Sequence, residues 1–498
     1  MSTATLHPPS GLRKADTPYV RLPGALWGLF VGLAVVGLFT PNPFLTAASI
    51  LVLPVFMTLL WRPGETPVLL FAVSFQWLQV TAKVFHANFL GAKVSQLSEY
   101  AYVELPSIDR AIWLGLGGLL LLAIGMRIGM RKLGAVDQRE ANLEAAAFST
   151  DRAFLFYVGC TILSTVLQAN AWSFGALVQI IYAVSTVKWI GFFVFGYLVL
   201  KRKERYWLLA AAVAVEFVSG IGFFSGFKTV LFVTLLIVFT VRYQLKPGTI
   251  AAGLVLLAAL LVFGAAWTSV KGEYRAFLNQ GTQAQATLVS RADQLDKLAD
   301  LVGELDGEDL SLAMGTLFGR ISYVDYFALA MDYVPEVVPH ENGALWKQSI
   351  LHVFTPRALF PDKPALLSDS EMTMQYTGLR LASDAEGTSI SIGYMGESYI
   401  DFGPVGMFVP ILILGLLWGW MYSYFMSRAR SVLVGYAFAT AVLLTAYQFE
   451  MAGVKLVGGV VMDFLVLALL LRFAEKYIVG WLQSERVPLR RPVTEPVA

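Results

Sequence analysis

Twelve long apolar runs govern what this chain can fold into. A helix needs roughly 20 consecutive apolar residues to cross the hydrocarbon core of a bilayer. Runs of that kind occupy residues 24–41, 44–61, 66–84, 110–128, 152–170, 175–200, 206–225, 228–244, 248–268, 403–425, 431–448 and 453–472. No single globular core can hide so much apolar surface, so lipid must be part of the solvent. Composition agrees: of 498 residues, 57% are hydrophobic and 14% charged, against about 45–50% and about a quarter in soluble domains. The expected fold is an all-α polytopic membrane protein with about twelve transmembrane helices. The polar segment before the first run has no signal-peptide pattern, so that run is expected to remain as a span.

Orientation follows from the Lys and Arg content of the short loops, which is higher on the cytoplasmic side. Arg13, Lys14 and Arg21 precede the first run. Alternate loops then carry Arg62, the Arg127–Arg139 group, Lys201 to Arg205, Arg242 with Lys246, and Arg428 with Arg430; Arg472 to Arg491 close the chain. The intervening loops at Thr40–Pro43 and near Asn170 carry no such clusters. Both termini are therefore expected in the cytoplasm. The chain divides into a cytoplasmic tail (1–23), spans one to nine (24–268), an extracytoplasmic domain (269–402), spans ten to twelve (403–472) and a cytoplasmic tail (473–498). Within the outer domain, Leu288, Leu295, Leu298, Val302 and Leu305 predict a short amphipathic helix resting on the membrane or its neighbours. Asp309 is a candidate cap for a following helix that runs towards Pro335, after which irregular chain is expected.

Net charge is +2, too balanced for nucleic-acid binding. The single cysteine, Cys160, excludes disulfides and cysteine metal sites. His7, His86, His340 and His352 show no paired spacing, so no metal site is expected, and no nucleotide-binding signature is present. Two outer segments can carry chemistry. In the first, Pro356, Pro361 and Pro364 stiffen the chain around Arg357 and Lys363. Rigidly held cations suit phosphate or carboxylate; the same composition also suits a surface turn with solvated charges. In the second, Glu397 and Asp401 lie one helical turn apart beside the tenth span. Either can serve as a general base at the membrane surface or pair with a loop arginine. Inside the spans, Lys188 and Glu216 read as an ion pair or as substrate contacts. Lys455 and Asp463 read as structural, and Lys228 heads the eighth span.

These residues resemble the Wzy-type oligosaccharide repeat-unit polymerases of bacterial surface polysaccharides, which are related in architecture to the O-antigen ligases. Pro356-Arg357 followed by Pro361-Asp362-Lys363-Pro364 is similar to that family's proline-basic pattern. Glu397 to Gly406 is similar to its Glu-x-Tyr-x-Asn-Phe-Gly-x-x-Gly, with Asp401 in place of Asn. Ser225-Gly226-Phe227-Lys228 is similar to a Ser-Gly-Ser-Arg element, with Lys in place of Arg. The resemblance implies transfer of a glycan from undecaprenyl pyrophosphate to a sugar hydroxyl at the outer membrane surface, without a cofactor. Cations would hold the departing pyrophosphate, for which Lys228, Arg275, Arg320, Arg357 and Lys363 are candidates. Glu397, then His352 and Asp401, are the candidate catalytic groups. Partners would be the lipid-linked oligosaccharide, membrane lipid and other polysaccharide assembly proteins. A flippase of lipid-linked sugars and a ligase-like transferase are the alternatives.

Overall fold

The computed structural model describes residues 22–97, 106–221, 226–242, 247–282, 287–306, 313, 315–319, 321–355, 360, 362, 366–381 and 389–484. These residues form an all-helical membrane protein, with no strand beyond an isolated bridge between Phe148 and Gln483. The helices are α1 (Gly24–Gly37), α2 (Pro43–Leu60), α3 (Val68–Phe89), α4 (Ile108–Gly129), α5 (Gln138–Ala147), α6 (Thr150–Ala169), α7 (Val178–Ser185) and α8 (Val187–Arg202). They continue with α9 (Tyr206–Gly220), α10 (Lys228–Val241), α11 (Pro247–Leu278), α12 (Arg291–Gly303), α13 (Val324–Tyr333), α14 (Ala344–Phe354) and α15 (Asp369–Thr377). The last four are α16 (Tyr394–Gly406), α17 (Phe408–Arg428), α18 (Val432–Val442) and α19 (Gly453–Leu482).

Seven segments are long and apolar enough to cross a bilayer: α2, α3, α4, α6, α7 with α8, α17 and α19. The apolar helices α1, α9, α10 and α18 are shorter. Each of the twelve apolar runs is helical, but several end early. The run at 431–448 stops at Val442 and continues as turns. There Gln76 donates to the carbonyl of Ala446 (2.7 Å), and the Phe449 N–H donates to Gln79 (3.0 Å). Irregular backbone among spans is tolerated where such side chains replace the lost helical bonds. The run at 175–200 is broken at Thr186, between α7 and α8. At the start of the tenth run, Gly403 (φ +69) breaks the chain ahead of Pro404, so that α17 begins only at Phe408.

The closest helix pair is α4 with α17. Gly125 and Gly129 face Gly415 and Gly419, and a Cβ on any of the four would lie under 3.0 Å from backbone of the opposite helix. This is a reciprocal small-xxx-small contact, the arrangement that lets membrane helices gain dispersion energy along their backbones. Two ion pairs lie inside the bundle. Arg62 forks onto Glu65 at 2.7 and 2.9 Å. Lys188 donates to Glu216 at 2.9 Å, and the Tyr157 hydroxyl donates to the other Glu216 oxygen, also at 2.9 Å. Breaking a buried pair leaves one charge uncompensated, at a cost of about 3–5 kcal/mol. Lys188→Met and Glu216→Gln should each lower the melting temperature in detergent more than the double variant does. Additive losses would show that the two residues do not act as a pair.

The segment between α13 and α16 is more regular than the proline- and glycine-rich sequence after Pro335 predicts. It contains α14, and it contains α15, which opens on a capping box: the Ser368 hydroxyl accepts the Glu371 N–H, and the Glu371 carboxylate accepts the Ser368 N–H. Two short helices are locally specified there, and the prolines lie between them. The amphipathic helix appears as α12: Leu298, Leu301 and Leu305 pack towards Trp267, Tyr274 and Leu278, while Leu288, Leu295 and Val302 are exposed. Asp309 lies outside the described residues. The segment between α12 and α16 is tied to the bundle by a buried ion pair between Lys83 of α3 and Asp325 of α13.

Candidate functional site

Three local devices position Glu397. Gly393 (φ +84) lies so close to the Phe449 carbonyl that a Cβ there would collide with it. The next N–H, from Tyr394, donates to Met451 (3.0 Å), and the Tyr394 hydroxyl donates to Gln76 (2.7 Å). The first turn of α16 is thereby pinned against the chain entering α19. Gly453 then presents its N–H to Glu397 Oε2 at 2.8 Å. A Cβ at Gly453 would lie 2.7 Å from that oxygen, so a larger residue there would push the carboxylate out of this position.

Glu397 is 3% exposed, and its Oε1 is buried with no hydrogen-bond partner among the described residues. An unpaired buried carboxylate oxygen is costly and signals a group kept for something other than stability. Burial pushes the Glu397 carboxyl up to about 7; the charges of Asp369 and Asp401 push the same way, while the Gly453 N–H and Lys455 oppose them. A carboxyl poised there accepts a proton effectively near neutral pH.

Glu397 lines a cavity of about 590 Å³. One wall is Ser349, His352 and Val353 of α14 with residues 366–369; the other, on the side of the apolar helices, is α7, the start of α8, and α19 from Val454 to Asp463. At 1.5 Å per residue it follows α19 for about 14 Å. Lys455 Nζ meets Asp369 Oδ2 at 2.6 Å beside it. His352 and Glu397 are therefore brought to one chamber.

Asp401 is not. Its two oxygens accept the N–H groups of Leu345 (3.1 Å) and Trp346 (2.8 Å), capping α14, and it is 1% exposed. It does not line the cavity, so its part is to hold the helix that carries His352. Of the candidate cations, Lys228 at the head of α10 is within electrostatic reach of Arg275 on α11 and of Glu450. They form a separate group that does not border the Glu397 cavity. Arg320, Arg357 and Lys363 lie outside the described residues. His340 contacts the Ile400 carbonyl (3.1 Å) and packs on Tyr399, a structural part.

Lys455 and Asp463 of the chamber, and Gly453 beside it, carry no functional reading in the sequence. Asp463 was read as structural, yet it lines the cavity and has no hydrogen-bonding or ionic partner among the described residues. The signal was there, in a charge placed inside a span. Gly453 carried no signal, because its part depends on a residue 56 positions away.

The family described as Domain of unknown function (DUF8712) matches residues 118–486, well over half of the chain. The chain belongs to the DUF8712 family. The matched stretch of this DUF8712 protein contains every residue that lines the cavity. No curated protein and no solved structure matched the chain.

Proposed function

We propose that this DUF8712 protein is a polymerase of lipid-linked oligosaccharide repeat units, acting at the outer face of a bacterial inner membrane. In this reading the twelve apolar helices are twelve spans, with both termini cytoplasmic and the chain between α11 and α17 outside. The observation that carries the proposal is the buried, unpaired Oε1 of Glu397 in a cavity shared by an outer domain and a membrane bundle. A hydroxyl of the acceptor glycan would lose its proton to Glu397 while its oxygen attacks the anomeric carbon of the donor. The bond from that carbon to the phosphate oxygen breaks, and undecaprenyl pyrophosphate leaves with its charge.

Supporting the proline-basic segment as the pyrophosphate clamp, Val353 a few residues before it and Leu366 just after it both line the cavity. Arg357 and Lys363 are separated from those walls by only a few residues. Lys228 and Arg275 supply a second cationic group, as befits a reaction between two lipid-linked pyrophosphates. Transport of lipid-linked sugars is the weaker reading, since Lys188 and Glu216, the intramembrane charges that would favour it, satisfy each other. Purified protein in proteoliposomes with lipid-linked repeat units should lengthen the glycan. Relocation of the substrate without lengthening would replace the polymerase reading with transport, and neither effect would make the chain an assembly subunit.

A further inference from the structure

The inner half of the cavity has a chemistry that the transfer reaction alone does not explain. On α7 and α8, Gln179, Tyr182 and Trp189 face it, and Gln168 joins them from the end of α6. Opposite, Gly459 of α19 leaves the wall open, for a Cβ there would meet nothing within 4 Å. One turn further into the bundle stands Asp463, without a partner among the described residues.

Each candidate occupant can be weighed against this lining. A polyprenyl chain would strip water from two amides and a carboxylate and return no hydrogen bonds, which is costly. A phosphate or a carboxylate would meet Asp463 with no unengaged lysine among the described residues to offset it, since Lys455 is taken by Asp369 and Lys188 by Glu216. Three carboxylates border the cavity (Glu397, Asp369 and Asp463) against one lysine and one histidine. A sugar ring carries hydroxyls for amides and carboxylate together with a C–H face for aromatic rings. The volume lies within the ordinary range of small-ligand sites, about 300–1,000 Å³.

We propose that this half of the cavity is a saccharide subsite selective for neutral or amino-substituted sugars, and that Asp463 sets that charge preference. The selectivity works by repulsion as much as by attraction: an acidic sugar brings a second negative charge into a poorly hydrated chamber. This rests on reading the protein as a glycan transferase, and it adds which sugars that transferase accepts.

The test is isothermal titration of the full-length protein in nanodiscs with methyl glucosaminide, methyl glucoside and methyl glucuronide. The glucosaminide should bind about tenfold or more tighter than the glucuronide, with the glucoside between them. Asp463→Asn should cut that ratio by about tenfold while leaving the glucoside within about twofold. Gly459→Leu, which fills open space, should weaken all three without changing their order. Equal or tighter binding of the glucuronide, an unchanged ratio in Asp463→Asn, or no binding of any of the three would each overturn the proposal. Failure here with intact glycan elongation would remove only the sugar preference. Selective binding without elongation would instead remove the transferase reading.

Discussion

Glu397→Gln should lower the rate of glycan elongation by about 100- to 10,000-fold, the range over which a positioned general base contributes. The amide keeps the size of the side chain and can still accept the Gly453 N–H through its oxygen, so the fold is retained. Wild-type elongation should rise with pH through about 7, where the carboxyl ionises, and the residual rate of the variant should lack that step. Stability should move the opposite way. Below about pH 4.5 the carboxyl is protonated in both folded and unfolded chains and costs nothing. From there to about 7 the unfolded chain ionises while the buried group resists, so the fold loses stability as pH rises. Above pH 7 the glutamine variant should therefore melt no lower than wild type. Elongation rates on lipid-linked repeats and melting curves across pH measure both. A variant that elongates at the wild-type rate would remove Glu397 from the chemistry.

Gly419→Leu should prevent assembly of the bundle. Its Cβ alone would collide with the Met126 carbonyl, and a backbone oxygen cannot rotate away as a flexible side chain can. Overpacking a well-fitted interior costs about 1–3 kcal/mol or more. Here α4 and α17 would have to part along a contact held on both sides by glycine. The expected result is an at least tenfold drop in folded protein recovered from membranes, measured by size-exclusion chromatography in detergent. Gly159→Leu is the matched comparison, since a Cβ at that helix glycine meets nothing within 4 Å; it should be recovered at the wild-type level. Equal recovery of the two variants would show that the close approach of α4 and α17 does not govern assembly.

Much of this was legible before any coordinates. An apolar run declares a membrane helix by itself, because the bilayer satisfies no backbone group and the helix must do so within its own segment. Lys188 and Glu216 were visible as intramembrane charges, and pairing was one of the two outcomes open to them. Glu397 stood out as a carboxylate beside a span. Less was legible where a partner is distant in sequence. The glycines of α4 and α17 are separated by nearly 300 residues, and each pair alone is an ordinary feature of an apolar helix. Asp401 and Glu397 share a helix face and a residue type, and nothing in that spacing says that one caps α14 while the other faces a chamber.

The sequence by itself determined the helical membrane class, the positions of the apolar segments and the candidate carboxylates, because these depend on local composition and on a solvent that punishes exposed polar groups. Only the tertiary structure decided how each of these carboxylates is surrounded: Asp401 caps α14, whereas Glu397 keeps one oxygen without a partner among the described residues. Gly393 and Gly453 favour that outcome, because their missing side chains let α16 and the start of α19 approach until the other Glu397 oxygen accepts the Gly453 N–H. The free energy of a buried charge depends on what surrounds it in space, and for Glu397 those surroundings come from segments far apart in the chain.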